Sequence, residues 1–264
     1  MKIGIIGYGV VGKAISATFS KRYDIIKYDK YINLDSFESL LSCEFIFVSV
    51  PTPFSIEENK VNLDAINSTF ENLSDLEYEG IVIVKSTIPC GTSDILAESY
   101  NLDMVMNPEF LRESITPNED FKNQKVVVIG SKNKKIYNSV KSLYETVLSD
   151  DCKYHSVTFQ TAELIKYSQN MTLASRVAVS NIVFDACSKF GVDYKLLREI
   201  AFNSFEILGP HMTQVPGPDG KRGFGGKCLP KDTMGFNSFH PSDIVKSFLN
   251  YNSKVRDDID KYED

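Results

Sequence analysis

A glycine-rich segment that leads into a cysteine is the most distinctive chemical feature of this 264-residue sequence. The segment covers Gly223–Asp232 and reads GFGGKCLPKD. Pro230 suits the first turn of a helix, so Cys228 would lie at a helix N-terminus near two lysines. That setting lowers the pKa of a thiol and predicts a nucleophile. The other four cysteines have apolar or ordinary surroundings and are predicted to be small core residues.

Three pairs of polar residues have a four-residue spacing, which places both members on one face of a helix. They are Cys228 and Asp232, Glu109 and Glu113, and Lys166 and Asn170. A carboxylate one turn from a thiol can position a water molecule or accept a proton. For the Lys–Asn pair, the spacing alone fits an exposed solvated pair as well as a functional one.

A glycine fingerprint, GYGVVG at Gly7–Gly12, follows the first apolar run and opens the first predicted helix. Its glycines allow a tight turn, close approach of a pyrophosphate and close helix–strand packing. Asp29 ends the second predicted strand, at the distance expected of an acid that holds a ribose 2′-hydroxyl. This favours NAD over NADP, although Lys27 and Lys30 lie near. A glycine-rich turn in some other α/β protein is the alternative interpretation.

The elements that must position these residues change in character along the chain. Through residues 1–158, short apolar runs alternate with helical patterns, which predicts a parallel sheet with crossover helices. The predicted strands are Ile3–Ile6, Ile25–Tyr28, Phe45–Val50, Ile81–Lys85, Met104–Met106 and Val126–Ile129. The predicted helices between them include Val10–Lys21, Asp64–Leu73 and Lys134–Val147.

Residues 159–264 carry helical patterns instead. Gln160–Phe190 has no Pro or Gly and is apolar enough to predict burial on several sides, inside the chain or in a dimer. Asp193–Asn203 and an amphipathic segment from about Pro241 follow, the latter with Ile244 and Phe248 on its apolar side. The predicted fold class is α/β. A Rossmann-type, mostly parallel sheet domain (1–158) precedes an α-helical domain (159–264) with a long central helix.

The overall composition limits the classes of partner. Lys+Arg number 29 against 35 Asp+Glu, giving a net charge of −6 without basic runs, which argues against nucleic acid. Five Cys and three His show no ligand spacing, so no metal site and no disulfide scaffold are predicted. No signal peptide and no apolar run of about 20 residues is evident, which predicts a soluble, cytoplasmic protein without a membrane partner.

Together, the motifs resemble the UDP-glucose/GDP-mannose dehydrogenase family, and the likeness covers essentially the whole chain. The motifs occur in the family's order: GYGVVG, SVPTP (Ser49–Pro53), STIPCGT (Ser86–Thr92), NPEFLRES (Asn107–Ser114), AELIKYSQN (Ala162–Asn170), ASRVAVSN (Ala174–Asn181) and GFGGKCLPKD. The resemblance implies an NAD-dependent oxidation, in two steps, of a sugar-nucleotide primary alcohol to a carboxylate through a cysteine thioester.

The resemblance also implies roles for individual residues. Cys228 resembles the nucleophile, Lys166 and Asn170 the groups that stabilise oxyanions, Asp232 and Thr87 a water-ordering pair, Glu109 the general base and Glu113 its helper. The residues expected to bind NAD are Gly7, Gly9, Val10, Val11, Gly12, Asp29, Lys30, Val50, Pro51, Thr52, Ser86, Thr87 and Glu113. Those expected to bind substrate are Glu109, Phe110, Leu111, Arg112, Lys166, Asn170, Phe224, Gly225, Gly226 and Cys228.

The sequence departs from the family's usual pattern in two respects. Typical members continue into a further domain that holds the substrate nucleotide, and we expect this protein to be without it because the sequence stops at Asp264. The family's Arg-Ile-Gly stretch, whose arginine reaches a neighbouring subunit's sugar, is replaced by residues 205–209, with Lys221 or Arg222 as candidate substitutes. The resemblance implies a homodimer that pairs through the long helix, and a separately encoded C-terminal half is a further possible partner.

Several functions therefore stay open. The leading interpretation is oxidation of UDP-glucose to UDP-glucuronate, as in polysaccharide biosynthesis; GDP-mannose is the alternative substrate. A catalytically impaired homologue that acts as an NAD-binding or partner-completing module is the second. An enzyme of the β-hydroxyacid dehydrogenase type is the third, although such enzymes need no cysteine nucleophile. The number of NADH formed per substrate separates these three: two for the sugar-nucleotide dehydrogenase, none for the impaired homologue and one for the β-hydroxyacid dehydrogenase.

Overall fold

The computed structural model describes residues 1–111, 116–205, 208–209 and 211–256. The chain forms two compact units. The first combines Met1–Thr52 with Asn62–Lys166, and the second combines Pro53–Val61 with Tyr167–Asp264. The first unit returns to itself after a short excursion of the chain into the second.

A seven-stranded sheet organises the described part of the first unit. Its strand order is β2-β1-β3-β6-β7-β8-β9, and neighbours run parallel except β7 and β8. The order reverses direction around β1, which creates a crevice between the carboxyl ends of β1 and β3. The strands are β1 (Lys2–Ile6), β2 (Asp24–Tyr28), β3 (Phe45–Val48), β6 (Ile81–Val84), β7 (Met104–Met106), β8 (Val126–Gly130) and β9 (Lys153–Val157).

Helices and apolar side chains cover both faces of this sheet, which is why its central strands are near-continuous Val/Ile/Phe runs. All four residues of β3 are buried. The helices are α1 (Val10–Phe19), α2 (Asp64–Asp75), α3 (Thr92–Tyr100), α4 (Pro117–Lys122) and α5 (Lys134–Glu145), with a 3₁₀ turn at Glu38–Ser42. The predicted α/β class with a mostly parallel Rossmann-type sheet is confirmed.

Three elements of the first unit have no counterpart in the sequence prediction, each for a local reason. Strand β9 (KYHSV) is polar and lies at the sheet edge, so it lacks the apolar run of a central strand. Helix α4 is only six residues long. Helix α3 follows a positive-φ glycine, Gly91, and exposes most of one side, which weakens its apolar pattern.

The second unit is largely helical in its described part. Helix α6 (Phe159–Phe190) begins in the first unit and crosses the boundary at Lys166. It is followed by α7 (Tyr194–Arg198), a π-helical turn (Glu199–Asn203), α8 (Leu229–Phe239) and α9 (Asp243–Val255). A short hairpin of β4 (Phe54–Ser55) and β5 (Lys60–Val61) completes the unit. The predicted helical region with a long helix is confirmed.

One detail of the helical prediction is wrong. Ile244 was assigned to the apolar side of α9 but is 67% exposed, whereas its neighbour Val245 is buried. On α6, Val179 and Ile182 are about half exposed, so the chain by itself does not cover this helix on all sides. In the described residues, no helix has the length and apolar character needed to cross a bilayer.

Candidate active site

The glycine turn after β1 lies at the reversal of the strand order. Gly7 has a φ of +88°, and a Cβ there would lie 2.6 Å from the Ser49 carbonyl oxygen at the end of β3. A Cβ on Gly12 would lie 2.2 Å from the Gly7 carbonyl oxygen, so α1 packs directly on the turn. A Cβ on Gly9 would meet nothing within 4 Å. Two glycines therefore serve close packing, and the third leaves space for a ligand.

The end of β2 supplies an acidic group to this turn. One Asp29 carboxylate oxygen accepts a 2.8 Å hydrogen bond from the Tyr8 backbone N–H, and the other accepts one of 2.9 Å from Tyr31. Gly9, the N-cap of α1, makes no side-chain capping bond, so the helix's first N–H groups have no side-chain partner there. Free N–H groups at a helix N-terminus bind phosphate, and the acid binds a ribose hydroxyl. These residues fit a dinucleotide.

The ends of β3 and β6 are joined beside this turn. The Ser86 hydroxyl donates a 2.7 Å hydrogen bond to the Val50 carbonyl oxygen, and the buried Thr52 hydroxyl donates one of 2.7 Å to the Thr87 carbonyl oxygen. The residues predicted to bind NAD in these two segments, Val50–Thr52 and Ser86–Thr87, are thereby held side by side at the carboxyl edge of the sheet.

Glu109, the predicted general base, lies just beyond β7 at the same edge. Its Oε1 accepts hydrogen bonds from the backbone N–H groups of Phe110 (2.8 Å) and Leu111 (3.0 Å). Its Oε2 lies 3.0 Å from the Nζ of Lys85, whose side chain is 1% exposed. Backbone N–H groups therefore hold one oxygen of this carboxylate, and the Lys85 ammonium is paired with the other.

The buried Lys85 was not among the predicted site residues. Its Nζ donates a 3.1 Å hydrogen bond to Asn107 Oδ1, which also accepts one of 2.6 Å from the Tyr144 hydroxyl. Burial lowers the pKa of Lys85, and the nearby Glu109 carboxylate opposes that shift. A charged residue at the end of the apolar run Ile-Val-Ile-Val was the available signal, because a strand covered on both faces seldom ends on a lysine.

Two polar residues in the first turns of α6 are buried within the first unit. Lys166 is 9% exposed, and its Nζ lies 5.8 Å from the centre of the Phe110 ring, next to Glu109. Glu163 is fully buried and accepts 2.7 Å hydrogen bonds from the backbone N–H groups of Gly91 and Ser93, at the start of α3. Lys166 is thus buried, which excludes the exposed, solvated position that its spacing also allowed. Its role in the site stays a prediction.

In the second unit, α6 supplies Asn170, and the start of α8 supplies Cys228 and Asp232. Asn170 Nδ2 donates a hydrogen bond to Asp232 Oδ2, and both side chains are buried. Lys231 pairs with the other oxygen of Asp232. Cys228 is exposed and is the N-cap of α8, with Pro230 in the first turn as predicted. A thiol therefore stands at a helix N-terminus, one turn from a carboxylate with a fixed partner.

The five cysteines differ in exposure, and none of them forms a disulfide. Cys43, Cys152 and Cys187 are buried, and burial raises the pKa of Cys43 to about 11. Cys90 is half-buried, and burial raises the pKa of its thiol too. Among them, Cys228 alone is exposed. A raised pKa disfavours the thiolate that attacks electrophiles, and of the five thiols Cys228 is the most accessible to an electrophile.

Some predicted site residues are not assembled with the others. Arg112 and Glu113 lie outside the described residues. Phe224 has a buried ring, and Gly225 and Gly226 follow it in the loop before Cys228. Arg222 is a candidate for the missing family arginine. Its guanidinium donates hydrogen bonds of 3.3 Å to Asn181 Oδ1 and of 2.6 Å to Asp185 Oδ1, both on α6 of the same chain. In the described residues, no group of three or more His, Cys, Asp or Glu is placed to hold a metal.

The sheet topology and the glycine turn define a protein of the NAD-binding Rossmann class. Residues 31–148 match the model of the UDP-glucose/GDP-mannose dehydrogenase family's NAD binding domain, and residues 160–254 match that of its central domain. The chain belongs to the UDP-glucose/GDP-mannose dehydrogenase family, and NAD is the cofactor of its first unit.

Individual relatives agree with this family. UDP-glucose 6-dehydrogenase of Rickettsia prowazekii is 30% identical over 248 residues, covering 86% of this chain and 55% of that protein. The chain thus spans about half the length of the curated relatives it matches. A UDP-glucose dehydrogenase structure from the archaeon Pyrobaculum islandicum has a TM-score of 0.81 at 24% identity, over 96% of this chain and 68% of that one.

A solved structure with another function has the same fold. Mycobacterium tuberculosis 3-hydroxyisobutyrate dehydrogenase has a TM-score of 0.71 at 13% identity, over 96% of this chain and 92% of that one. At such identities the likeness shows the fold alone. The fold is therefore shared by two kinds of dehydrogenase, and residues such as Cys228 must distinguish them.

Proposed function

We propose that the protein oxidises the primary alcohol of a sugar nucleotide, UDP-glucose by preference, to the uronic acid with NAD. The observation that carries this proposal is Cys228, an exposed thiol at the N-terminus of α8, one turn from the buried Asn170–Asp232 pair. An oxidation that stops at the aldehyde needs no nucleophile, whereas one that reaches the acid benefits from covalent catalysis.

The proposed chemistry has three stages. The alcohol loses a proton and a hydride to give an aldehyde. The Cys228 thiol then adds to the aldehyde carbon, and loss of the hydroxyl proton and of a second hydride converts this thiohemiacetal to a thioester. Water attacks the thioester and releases the carboxylate and the Cys228 thiol. Two molecules of NAD, bound one after the other, would each accept one hydride, so two NADH form per sugar.

The chain's own residues would support each stage. Lys166 and Asn170 are buried donors on one face of α6, suited to the oxygen that carries negative charge in the addition steps. Glu109 is held as a carboxylate that can accept a proton from the attacking water, with Glu113 as its helper. Asp232 and Thr87 are assigned to ordering that water.

Two alternative functions and one alternative substrate are compatible with the observations. An impaired form that binds NAD without turnover is compatible with a chain that spans 55% of its Rickettsia relative. A β-hydroxyacid dehydrogenase is compatible with the shared fold. GDP-mannose replaces UDP-glucose if the nucleotide base is recognised differently. The named relatives act on UDP-glucose, which supports our order of preference.

The deciding experiment counts hydride transfers. We expect the purified protein to form two NADH per UDP-glucose and to form less with GDP-mannose or a β-hydroxyacid. Cys228→Ser should abolish acid formation while calorimetry still shows NAD binding, because the cofactor residues lie in the first unit. Cys90→Ser is the matched control and should leave both readings unchanged. Full turnover by Cys228→Ser would refute the nucleophile.

We further propose a cytoplasmic homodimer that pairs through α6, with a separately encoded C-terminal half as a possible additional partner. Five cysteines that form no disulfide are typical of a reducing compartment. Val179 and Ile182 lie on one side of α6 and are about half exposed, and such apolar surface favours a partner.

A further inference from the structure

Two glycines of the GFGG segment mark places where other side chains press against its backbone. A Cβ on Gly223, where φ is +71°, would lie 2.3 Å from Asn252 Oδ1. A Cβ on Gly225 would lie 2.1 Å from Arg256 Nη2. Both approaching side chains come from the end of α9. The glycines therefore make room for α9 and its side chains, not only for a ligand.

Asn252 holds the residue between these glycines by both of its backbone groups. Its Oδ1 accepts a 2.8 Å hydrogen bond from the Phe224 N–H, and its Nδ2 donates one of 2.8 Å to the Phe224 carbonyl oxygen. Asn252 is 3% exposed, and the Phe224 ring is buried against Ala174 and Ala178 of α6. Among the twenty side chains, only a primary amide offers a donor and an acceptor side by side, and Gln is one carbon longer.

Two neighbouring contacts hold the same stretch of backbone from further sides. Asn181 on α6 accepts a 3.1 Å hydrogen bond from the Gly223 N–H. Arg256 donates a 3.2 Å hydrogen bond to the Arg222 carbonyl oxygen and is paired with Asp219 at 2.6 Å. The loop that precedes Cys228 is thus held by side chains from α6 and from the end of α9, and lies between them.

We propose that Asn252 is a positioning residue for Cys228: it fixes the Phe224 backbone, and through it the four-residue path to the thiol. This inference rests on the proposed function, because it assumes that Cys228 must meet a substrate carbon in a defined geometry. A misplacement of about 1 Å in a reacting group can cost about 100-fold in rate. The hydrogen bonds from Asn252 to the Phe224 backbone therefore affect the chemical steps and leave cofactor binding unchanged.

The test compares Asn252→Ala and the isosteric Asn252→Asp with Asn250→Ala, an exposed asparagine on the same helix. Asn252→Asp keeps the acceptor but removes the donor and adds negative charge next to the Phe224 carbonyl oxygen. We expect both Asn252 variants to lower kcat about 10- to 100-fold while KM for NAD stays within about twofold. Asn250→Ala should match the unsubstituted protein.

A second readout separates positioning from loss of the nucleophile or of the fold. The rate at which iodoacetamide alkylates Cys228 should keep its pH profile in Asn252→Ala, which adds no charge, because the thiol remains at the N-terminus of α8. An unchanged kcat in both Asn252 variants would overturn the proposal. A fall in NAD affinity that parallels the fall in kcat would also overturn it, since that result indicates a general structural role.

A further measurement tests the position of Cys228 without any turnover. It is needed if the unsubstituted protein forms no NADH, an outcome that refutes the proposed function. Cys228 is then labelled with bromotrifluoroacetone, and its ¹⁹F signal is assigned by its absence in Cys228→Ser. We expect one resonance in the unsubstituted protein and in Asn250→Ala, and additional resonances in Asn252→Asp as the loop leaves its single position. Identical spectra in all three proteins would overturn the proposal that Asn252 positions Cys228.

Discussion

At the scale of single residues, the ion pair between Lys85 and Glu109 stands out because it costs free energy to bury. Desolvation of two charges is repaid only by close geometry and further hydrogen bonds, and an apolar pair of similar size is often as stable. Here Asn107 and two backbone N–H groups provide those further bonds. The pair therefore fixes the orientation of the Glu109 carboxylate, which its proposed role as a general base requires.

Removal of one partner should show this dependence. We expect Lys85→Met to lower the free energy of unfolding by about 3 kcal/mol, because Glu109 is left as an uncompensated buried charge. The measurement is urea unfolding followed by circular dichroism. The double variant Lys85→Met/Glu109→Gln should regain most of the loss. Lys125→Met is the control, since that lysine pairs with Asp151 on the surface and its loss should leave the free energy of unfolding nearly unchanged.

If the double variant is no more stable than Lys85→Met, the ion pair is not the reason for the loss. Packing of the Lys85 stem against Phe121 and Tyr144 would then be the better explanation, because the ammonium lies 5.6 and 6.0 Å from those ring centres.

At the scale of elements, the turn between β1 and α1 assigns different work to its glycines. Gly12 is needed because α1 lies against the Gly7 carbonyl oxygen, and Gly9 because a ligand must approach there. The two demands are separable, since one concerns the protein alone and the other appears only when NAD binds.

Substitution by alanine should separate these two effects. We expect Gly12→Ala to destabilise the protein by about 1–3 kcal/mol, because its Cβ meets backbone that cannot move aside. Gly9→Ala should leave the melting temperature within about 2 °C and should weaken NAD binding more than tenfold, because its Cβ occupies the open space. Thermal unfolding and calorimetry with NAD measure the two. Normal NAD affinity in Gly9→Ala would contradict our placement of the pyrophosphate.

At the scale of the whole molecule, the distribution of exposed apolar side chains bears on assembly. In the described part of the second unit, Val179, Ile182 and Phe190 on α6 and Leu196 on α7 are between 48% and 74% exposed. Scattered single residues of this kind are ordinary, but several on adjoining helices favour association. This supports the proposed homodimer.

The dimer is tested by light scattering coupled to size exclusion. We expect a mass of two chains, and Ile182→Glu should shift it towards one chain because the new charge would be buried in the pair. Leu34→Glu, at a similarly exposed apolar residue of the first unit, is the matched control and should leave the mass unchanged. A monomer in the unsubstituted protein would refute the pairing through α6.

Much of the fold and part of the site could be predicted because their signals are local. The apolar runs of the sheet, the glycine turn and the helix start at Pro230 each depend on a few consecutive residues. The amino-acid sequence by itself determined the α/β class, the cofactor turn and the identity of the one distinctive thiol. These follow from backbone geometry and side-chain periodicity, which act within a few residues of chain.

The tertiary structure decided which distant residues support that chemistry. Lys85 meets Glu109 across 24 positions and Phe224 meets Asn252 across 28, and neither encounter leaves a periodic pattern in the sequence. Both contacts arise where separately formed elements pack together, so their partners are set by the sheet order and by the way α9 packs against α6. Burial then gives them their strength, because polar groups removed from water must find partners inside the protein.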